Sequence, residues 1–288
     1  MTKQQIISEL TYCGTRKTTN LHWKDEVAYI TFPLFESPEI IHGFSTRIGG
    51  VSQGHFGTMN LSFSRGDKRE AVIENHRRFA RAVGYDETRL VCSDQVHKTE
   101  IRRVTKDDCG KGIIRESDII ATDGLVTNEP GIPLITYYAD CVPLFFFDPV
   151  KKVVALAHAG WRGTVAGIGE SMIRKMEEEY ASKPEDILTA IGPSICKNCY
   201  EVSEDVASQF RDIFTAEESK YILFENNQGK YQLDLWKANE YSLLHAGITK
   251  DHLSVTNLCT CCNKTTLFSH RATNGKRGNL GAVIMLKE

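Results

Sequence analysis

A thiol and an imidazole stand at the two ends of one apolar stretch. Ala139-Asp140-Cys141-Val142-Pro143 precedes it and Ala157-His158-Ala159-Gly160-Trp161-Arg162-Gly163 follows it. Between them run Leu144-Phe145-Phe146-Phe147, a turn at Asp148-Pro149, and Val153 to Leu156. Reactive side chains at the ends of buried strands are held rigidly, as a catalytic site requires. The polar turn Asp94-Gln95-Val96-His97 offers a second imidazole. His97, Cys141 and His158 together make a three-ligand metal site that keeps one position open. Thiolate and imidazole both suit Zn²⁺, while two His and one Cys are also the blue-copper set. A multicopper oxidase needs many His in His-x-His pairs, so nine His without one such pair weigh toward zinc.

An open zinc position lowers the pKa of a bound water to about 7, which suits hydrolytic removal of an exocyclic purine amine. Without a metal, the same residues read as a Cys141 thiolate nucleophile activated by His158. Arg47, in Ser45-Thr46-Arg47-Ile48-Gly49-Gly50, is a candidate anion cradle for phosphate or carboxylate. Arg162 beside His158 has the same use, and Asp140 could orient a metal ligand or simply cap a turn. A separate set, Cys196-Lys197-Asn198-Cys199 with Cys259-Thr260-Cys261-Cys262, has the spacing of a structural zinc site on Cys196, Cys199, Cys259 and Cys262. Cys261 is then a spare, and Cys13, Cys92 and Cys109 lack an evident partner. Tyr137-Tyr138 and Phe145-Phe146-Phe147 could stack a base, although aromatic runs in strands more often fill a core.

These groups need a scaffold. Strands are expected at Val27 to Phe32, Ile41 to Ser45, Leu90 to Cys92, Glu100 to Val104, Gly124 to Thr127 and Leu134 to Tyr138. More follow at Leu144 to Phe147, Val153 to Ala157, Ile187 to Ile191, Leu253 to Leu258, Thr266 to Ser269 and Ala282 to Leu286. Helices are expected at Glu70 to Val83, stopped by Gly84; at Thr164 to Tyr180; at Ser203 to Phe214, with Ser203 as N-cap; and at Asp234 to His245, stopped by Gly247. Strands outnumber helices, which come late, so a layered α/β fold with a large mixed sheet is expected, not a parallel doubly wound one. No Gly-x-Gly-x-x-Gly links a strand to a helix, so a nucleotide-phosphate fingerprint is missing.

The chain has 288 residues, of which 41% are hydrophobic and 25% charged, an ordinary globular composition. A formal net charge of −2 argues against nucleic acid or an anionic membrane as the main partner. Met1 to Leu10 is polar and lacks a signal-peptide core, and no apolar run approaches the ~20 residues that span a bilayer. A cytoplasmic protein is expected. Nine cysteines there read as metal-binding, reactive or buried, not as a disulfide framework.

Several motifs, in order, resemble the YfiH-type family, known earlier as multicopper polyphenol oxidases or laccase-domain proteins. They include His42-Gly43-Phe44-Ser45-Thr46-Arg47, Gln95-Val96-His97, Asp123-Gly124-Leu125-Val126-Thr127 and Ala139-Asp140-Cys141-Val142-Pro143-Leu144. Ala157-His158-Ala159-Gly160-Trp161-Arg162-Gly163, Ile191-Gly192-Pro193, Tyr200-Glu201-Val202 and Phe268-Ser269-His270-Arg271 continue the series. The resemblance implies one domain over residues 1–288, a layered α/β sandwich related to the catalytic domain of deamidating toxins. It places zinc on His97, Cys141 and His158. It implies phosphorolysis of adenosine, inosine and methylthioadenosine to free base and ribose 1-phosphate, with adenosine deamination at the same zinc site. Purine nucleosides and phosphate are then the partners of a monomer or homodimer. The double Cys-x-x-Cys is not part of the general family pattern. Rival readings are a Cys141–His158 hydrolase or amidase editing a cell-wall precursor, a copper-dependent phenol oxidase, and a non-catalytic partner protein with a structural metal.

Overall fold

The computed structural model describes residues 10–14, 18–226 and 228–288. The early strands are β1 (Asn20–Lys24), β2 (Val27–Thr31), β3 (Ile40–Ser45), β4 (Val91–Cys92) and β5 (Ile101–Arg103). The central ones are β6 (Gly124–Thr127), β7 (Leu134–Tyr138), β8 (Val142–Asp148), β9 (Val153–Ala159) and β10 (Leu188–Ile191). The late ones are β11 (Glu201–Val202), β12 (Leu223–Glu225), β13 (Tyr231–Leu233), β14 (Leu253–Val255) and β15 (Leu280–Leu286). The helices are α1 (Arg69–Val83), α2 (Trp161–Val165), α3 (Ile168–Tyr180), α4 (Glu204–Ile213), α5 (Ala216–Ile222), α6 (Leu235–His245) and α7 (His270–Thr273).

The layered α/β fold expected from the pattern is present as the sandwich that the resemblance implies, and it has two six-stranded mixed sheets in place of one large sheet. One runs β1-β2-β3-β15-β7-β4 and the other β14-β10-β8-β9-β6-β5, with β11-β13-β12 forming a small third sheet. Phe44, Leu134, Ala282 and Ile284 from the first sheet share a buried cluster with Phe145, Phe147, Val154 and Leu156 from the second. The outer face of the second sheet, with Leu144, Phe146 and Ala155, packs on Ile168, Met172 and Leu243 of α3 and α6. The outer face of the first, with Ile135 and Val283, packs on Phe79 and Ala80 of α1. The order of layers is therefore helix, sheet, sheet, helix.

This arrangement explains why β8 reads as an unbroken apolar run. All seven of its residues are buried, because alternate side chains meet the other sheet and the helices in turn. Phe145, Phe146 and Phe147 are core, so they do not form a base-stacking platform.

Three local expectations need correction. The helix expected over Thr164 to Tyr180 begins earlier and breaks: α2 starts at Trp161 behind the N-cap Gly160, and Gly167 adopts φ 75° before α3. A left-handed residue cannot continue a helix, and glycine adopts that conformation without steric cost. Thr266 to Ser269 is not a strand. Leu267 and Phe268 are buried from an irregular loop, and Ser269 caps α7 by accepting from the Ala272 N–H at 3.1 Å. The strand at Leu253 ends at Val255, where its pairing with β10 stops.

Candidate metal centre and active-site cavity

Neighbouring strands deliver the chemistry to one end of the second sheet. Pro143 of β8 faces His158 of β9, which puts Cys141 just before the paired segment. On the other side of β9, Gly124 pairs with Ala157, and the His158 N–H donates to the Asp123 carbonyl at 2.8 Å. Asp123, His158 and Cys141 thus gather at the ends of three adjacent strands, β6, β9 and β8. His97 arrives from the loop between β4 and β5. Gln95 anchors that loop by pairing its side-chain amide with both backbone groups of Tyr137, at 2.8 and 2.6 Å, as an extra strand residue would.

The ligand atoms of His97, Cys141 and His158 all lie within 4.8 Å of one another, and Cys141 Sγ is 3.8 Å from His97 Nε2. Tetrahedral Zn–S and Zn–N bonds of ~2.3 and ~2.0 Å put ligand atoms ~3.5 Å apart, so the three fit one divalent ion. The imidazole rings of His97 and His158 stand edge to face at 4.7 Å. His158 is buried, Cys141 is partly exposed and His97 is exposed, so the site is open on the His97 side. Gly160 makes room for it: a β-carbon there would lie 2.9 Å from His97 Cδ2 and 3.1 Å from Cys141 Sγ.

Asp123 orients this centre. It accepts from His158 Nδ1 at 2.8 Å, which leaves Nε2 as the ligand nitrogen. It also accepts the backbone N–H groups of Val96, His97 and Lys98 at 3.0, 2.9 and 2.9 Å. His97 itself has φ 64°, a left-handed conformation that this carboxylate holds in place. Burial pushes the Cys141 thiol up, but the His158 and His97 imidazoles outweigh it and hold it down to about 6. Burial lowers His158, yet Cys141 and Asp123 bring it up to about 9.

Among the described residues, Asp140 makes no hydrogen bond to His97 or His158, so any part it has in the centre runs through the adjacent Cys141. It accepts from the Thr260 hydroxyl and the Arg271 N–H, each at 2.7 Å, and makes its contacts away from the imidazoles. Arg47 does not reach the cavity either. Its guanidinium donates to the Gly57 and Lys264 carbonyls and covers the Phe268 ring at 4.6 Å. Arg162 is exposed and stacks on Trp161 at 4.2 Å. The sulfurs of Cys196, Cys199, Cys259 and Cys262 do converge, all within 4.8 Å of one another. Cys92 is buried and accepts from the Tyr137 hydroxyl at 3.2 Å.

Above the centre lies a cavity of about 460 Å³, within the ~300–1,000 Å³ of small-molecule sites. His97, Cys141 and His158 line it, with Phe63, Ile119 and Tyr137 as apolar wall and Arg65 and Arg277 as cationic wall. Burial, followed by the neighbouring Arg65, lowers Arg277 to about 10. The buried Arg277 Nε has no hydrogen-bond partner. Two guanidiniums on the wall of one cavity, one of them with an unpartnered buried Nε, have the charge and donors to receive an anion. Asp123 stands in the motif Asp123-Gly124-Leu125-Val126-Thr127 with no chemical role evident from its sequence, and Arg65 and Arg277 lie outside the candidate site residues of the sequence. Neither Arg65 nor Arg277 stands beside paired glycines or a candidate ligand, the signals that single out Arg47 and Arg162.

A protein-family model described as multi-copper polyphenol oxidoreductase laccase matches residues 41–287. The purine nucleoside phosphorylase YlmD of Bacillus subtilis is 40% identical over 87% of this chain and 90% of its own. A purine nucleoside phosphorylase of Deinococcus radiodurans is 36% identical over 88% and 93%. Among solved structures, YlmD of Geobacillus stearothermophilus aligns with a TM-score of 0.86 at 36% identity, over 93% of this chain and 99% of that one. The YfiH protein of Bacillus licheniformis aligns at 0.82 and 35% identity, over 88% and 98%. With motifs, fold and relatives in agreement, this chain belongs to the laccase-like YfiH/YlmD family.

Proposed function

We propose that the chain is a zinc-dependent purine nucleoside phosphorylase acting on adenosine, inosine and methylthioadenosine, and that it deaminates adenosine at the same centre. The observation that carries this reading is one cavity with a His97–Cys141–His158 ligand set on its floor and the Arg65–Arg277 pair on its wall. The names of the relatives, purine nucleoside phosphorylases, support the reaction class.

Zinc, when bound, supplies a Lewis acid and acidifies a coordinated water. The remaining work belongs to the chain. Arg65 and Arg277, rather than Arg47, hold phosphate by charge-assisted hydrogen bonds. Phe63, Ile119 and Tyr137 offer an apolar face to the purine. In phosphorolysis the glycosidic bond breaks, a phosphate oxygen bonds the anomeric carbon, and the phosphate proton ends on the freed base. Asp123 keeps His158 and His97 aimed throughout.

Chromatographic assay of adenosine with phosphate, combined with metal analysis, tests this. Adenine, ribose 1-phosphate and inosine are the expected products. His97→Ala and Cys141→Ala should abolish both activities and the bound zinc together. Arg277→Gln should raise the KM for phosphate and leave zinc in place. Turnover by metal-free Cys141→Ala overturns the shared site.

The low-lying Cys141 thiol beside His158 favours a second reading, a covalent Cys–His hydrolase or amidase. Activity that survives chelation but not alkylation of Cys141 would select it. Oxygen uptake with phenols and copper would instead select the phenol oxidase named by the family description.

A further inference from the structure

Four cysteines outside the cavity are built into a second centre. Residues 192–202 and 258–263 lie side by side, joined where Ser194 bridges Cys259. Cys199 and Cys262 Sγ are 3.5 Å apart, and Cys196 and Cys262 Sγ 4.0 Å. Disulfide sulfurs sit ~2.05 Å apart, and these thiols are free. A tetrahedral ion with ~2.3 Å Zn–S bonds places its sulfurs ~3.8 Å apart, between the two observed distances. The Cys196 and Cys262 N–H groups both donate to Cys259 Sγ, at 3.2 and 3.4 Å, as they would to a metal-bound thiolate. Cys259 is fully buried and Cys196 nearly so, and buried thiolates require a cation.

We propose that Cys196, Cys199, Cys259 and Cys262 form a tetrathiolate site for zinc or another thiophilic divalent ion, and that this ion fastens the turn carrying Cys141. Both cysteine loops grip Asp140. The Ile195 N–H donates to the Asp140 carbonyl at 3.0 Å, and the Thr260 hydroxyl donates to its carboxylate at 2.7 Å. Asp140 has φ 91°, a conformation that a non-glycine residue keeps only when its surroundings impose it. Cys141 is the next residue. Cys13, from the N-terminal segment, lies against Cys196 and Cys259 but outside the four-sulfur set.

Elemental analysis of the purified protein tests the site. Two equivalents of metal per chain are expected, one lost in Cys262→Ser and the other in His97→Ala. After cobalt exchange, intense sulfur-to-cobalt absorption should persist in His97→Ala and fall away in Cys262→Ser. Cys262 is exposed, so wild-type protein gives a check that no variant has to fold for. Iodoacetamide should modify Cys262 only after chelation. Equal modification with and without chelator, or a single equivalent that Cys262→Ser leaves untouched, overturns the site. For the fastening role, Thr260→Val should keep the tetrathiolate spectrum and weaken metal binding at His97–Cys141–His158 about tenfold, with Thr260→Ser restoring it. Unchanged affinity in Thr260→Val overturns that role.

Discussion

Asp123 shows how much one carboxylate can organise. It fixes the His158 tautomer and holds three consecutive N–H groups of the His97 turn. Asp123→Asn puts an amide N–H where an acceptor is needed, so metal affinity should fall about 10- to 100-fold in a chelator competition. The Cys141–His158 pair makes a pH prediction for the chelated protein. The Cys141 thiol is held below its ordinary value, so the stabilisation it brings is lost as pH falls through about 6. His158 is held above its own, so its share is lost as pH rises through about 9. The two titrate as one coupled unit. Alkylation of Cys141 should climb through pH about 6 and then level off; a climb only near 9 would show that the imidazoles do not hold the thiolate. The convergent set His97, Cys141 and His158 was legible as residue types in polar turns. Asp123 was not, because a lone Asp before a glycine looks the same whether it caps a turn or orients a ligand.

At the scale of elements, the β9–α2 junction is the tightest constraint on the site. Gly160→Ala would drive a methyl group against His97 and Cys141. The variant should bind metal at least tenfold more weakly while β9, buried along its whole length, keeps its core contacts. Metal titration together with a thermal melt separates the two effects. Strands with strong apolar patterning, such as β7, β8 and β9, were legible because buried strands admit little else. The short β11, β12 and β13 were not, since polar residues such as Glu201, Glu225 and Gln232 break their apolar pattern, whereas the equally short β4 lies in the apolar run Leu90-Val91-Cys92. Leu267 and Phe268 misled for the opposite reason: burial in an irregular loop imitates a strand.

For the whole molecule, the decisive contact is between the two large sheets. Tyr138 of β7 donates to the Ala157 carbonyl across the layer at 3.0 Å and meets the Thr136 hydroxyl at 2.8 Å. Its ring lies 5.5 Å from that of His158. Tyr138→Phe should cost about 1–3 kcal/mol in urea denaturation, because buried polar partners lose their bond. An unchanged midpoint would show that the apolar layer alone holds the sheets in register. That two sheets would face each other was implied by the family resemblance alone, since pairing between distant strands leaves no local trace. The cavity's origins have a consequence of their own. Its candidate ligands His97, Cys141 and His158, with Asp123 behind them, come from one central segment, whereas Arg65 and Arg277 come from opposite flanks of the sequence. Natural selection or a protein engineer can therefore remodel the cationic wall by editing the flanks, while the two imidazoles and the thiol in the middle are inherited intact.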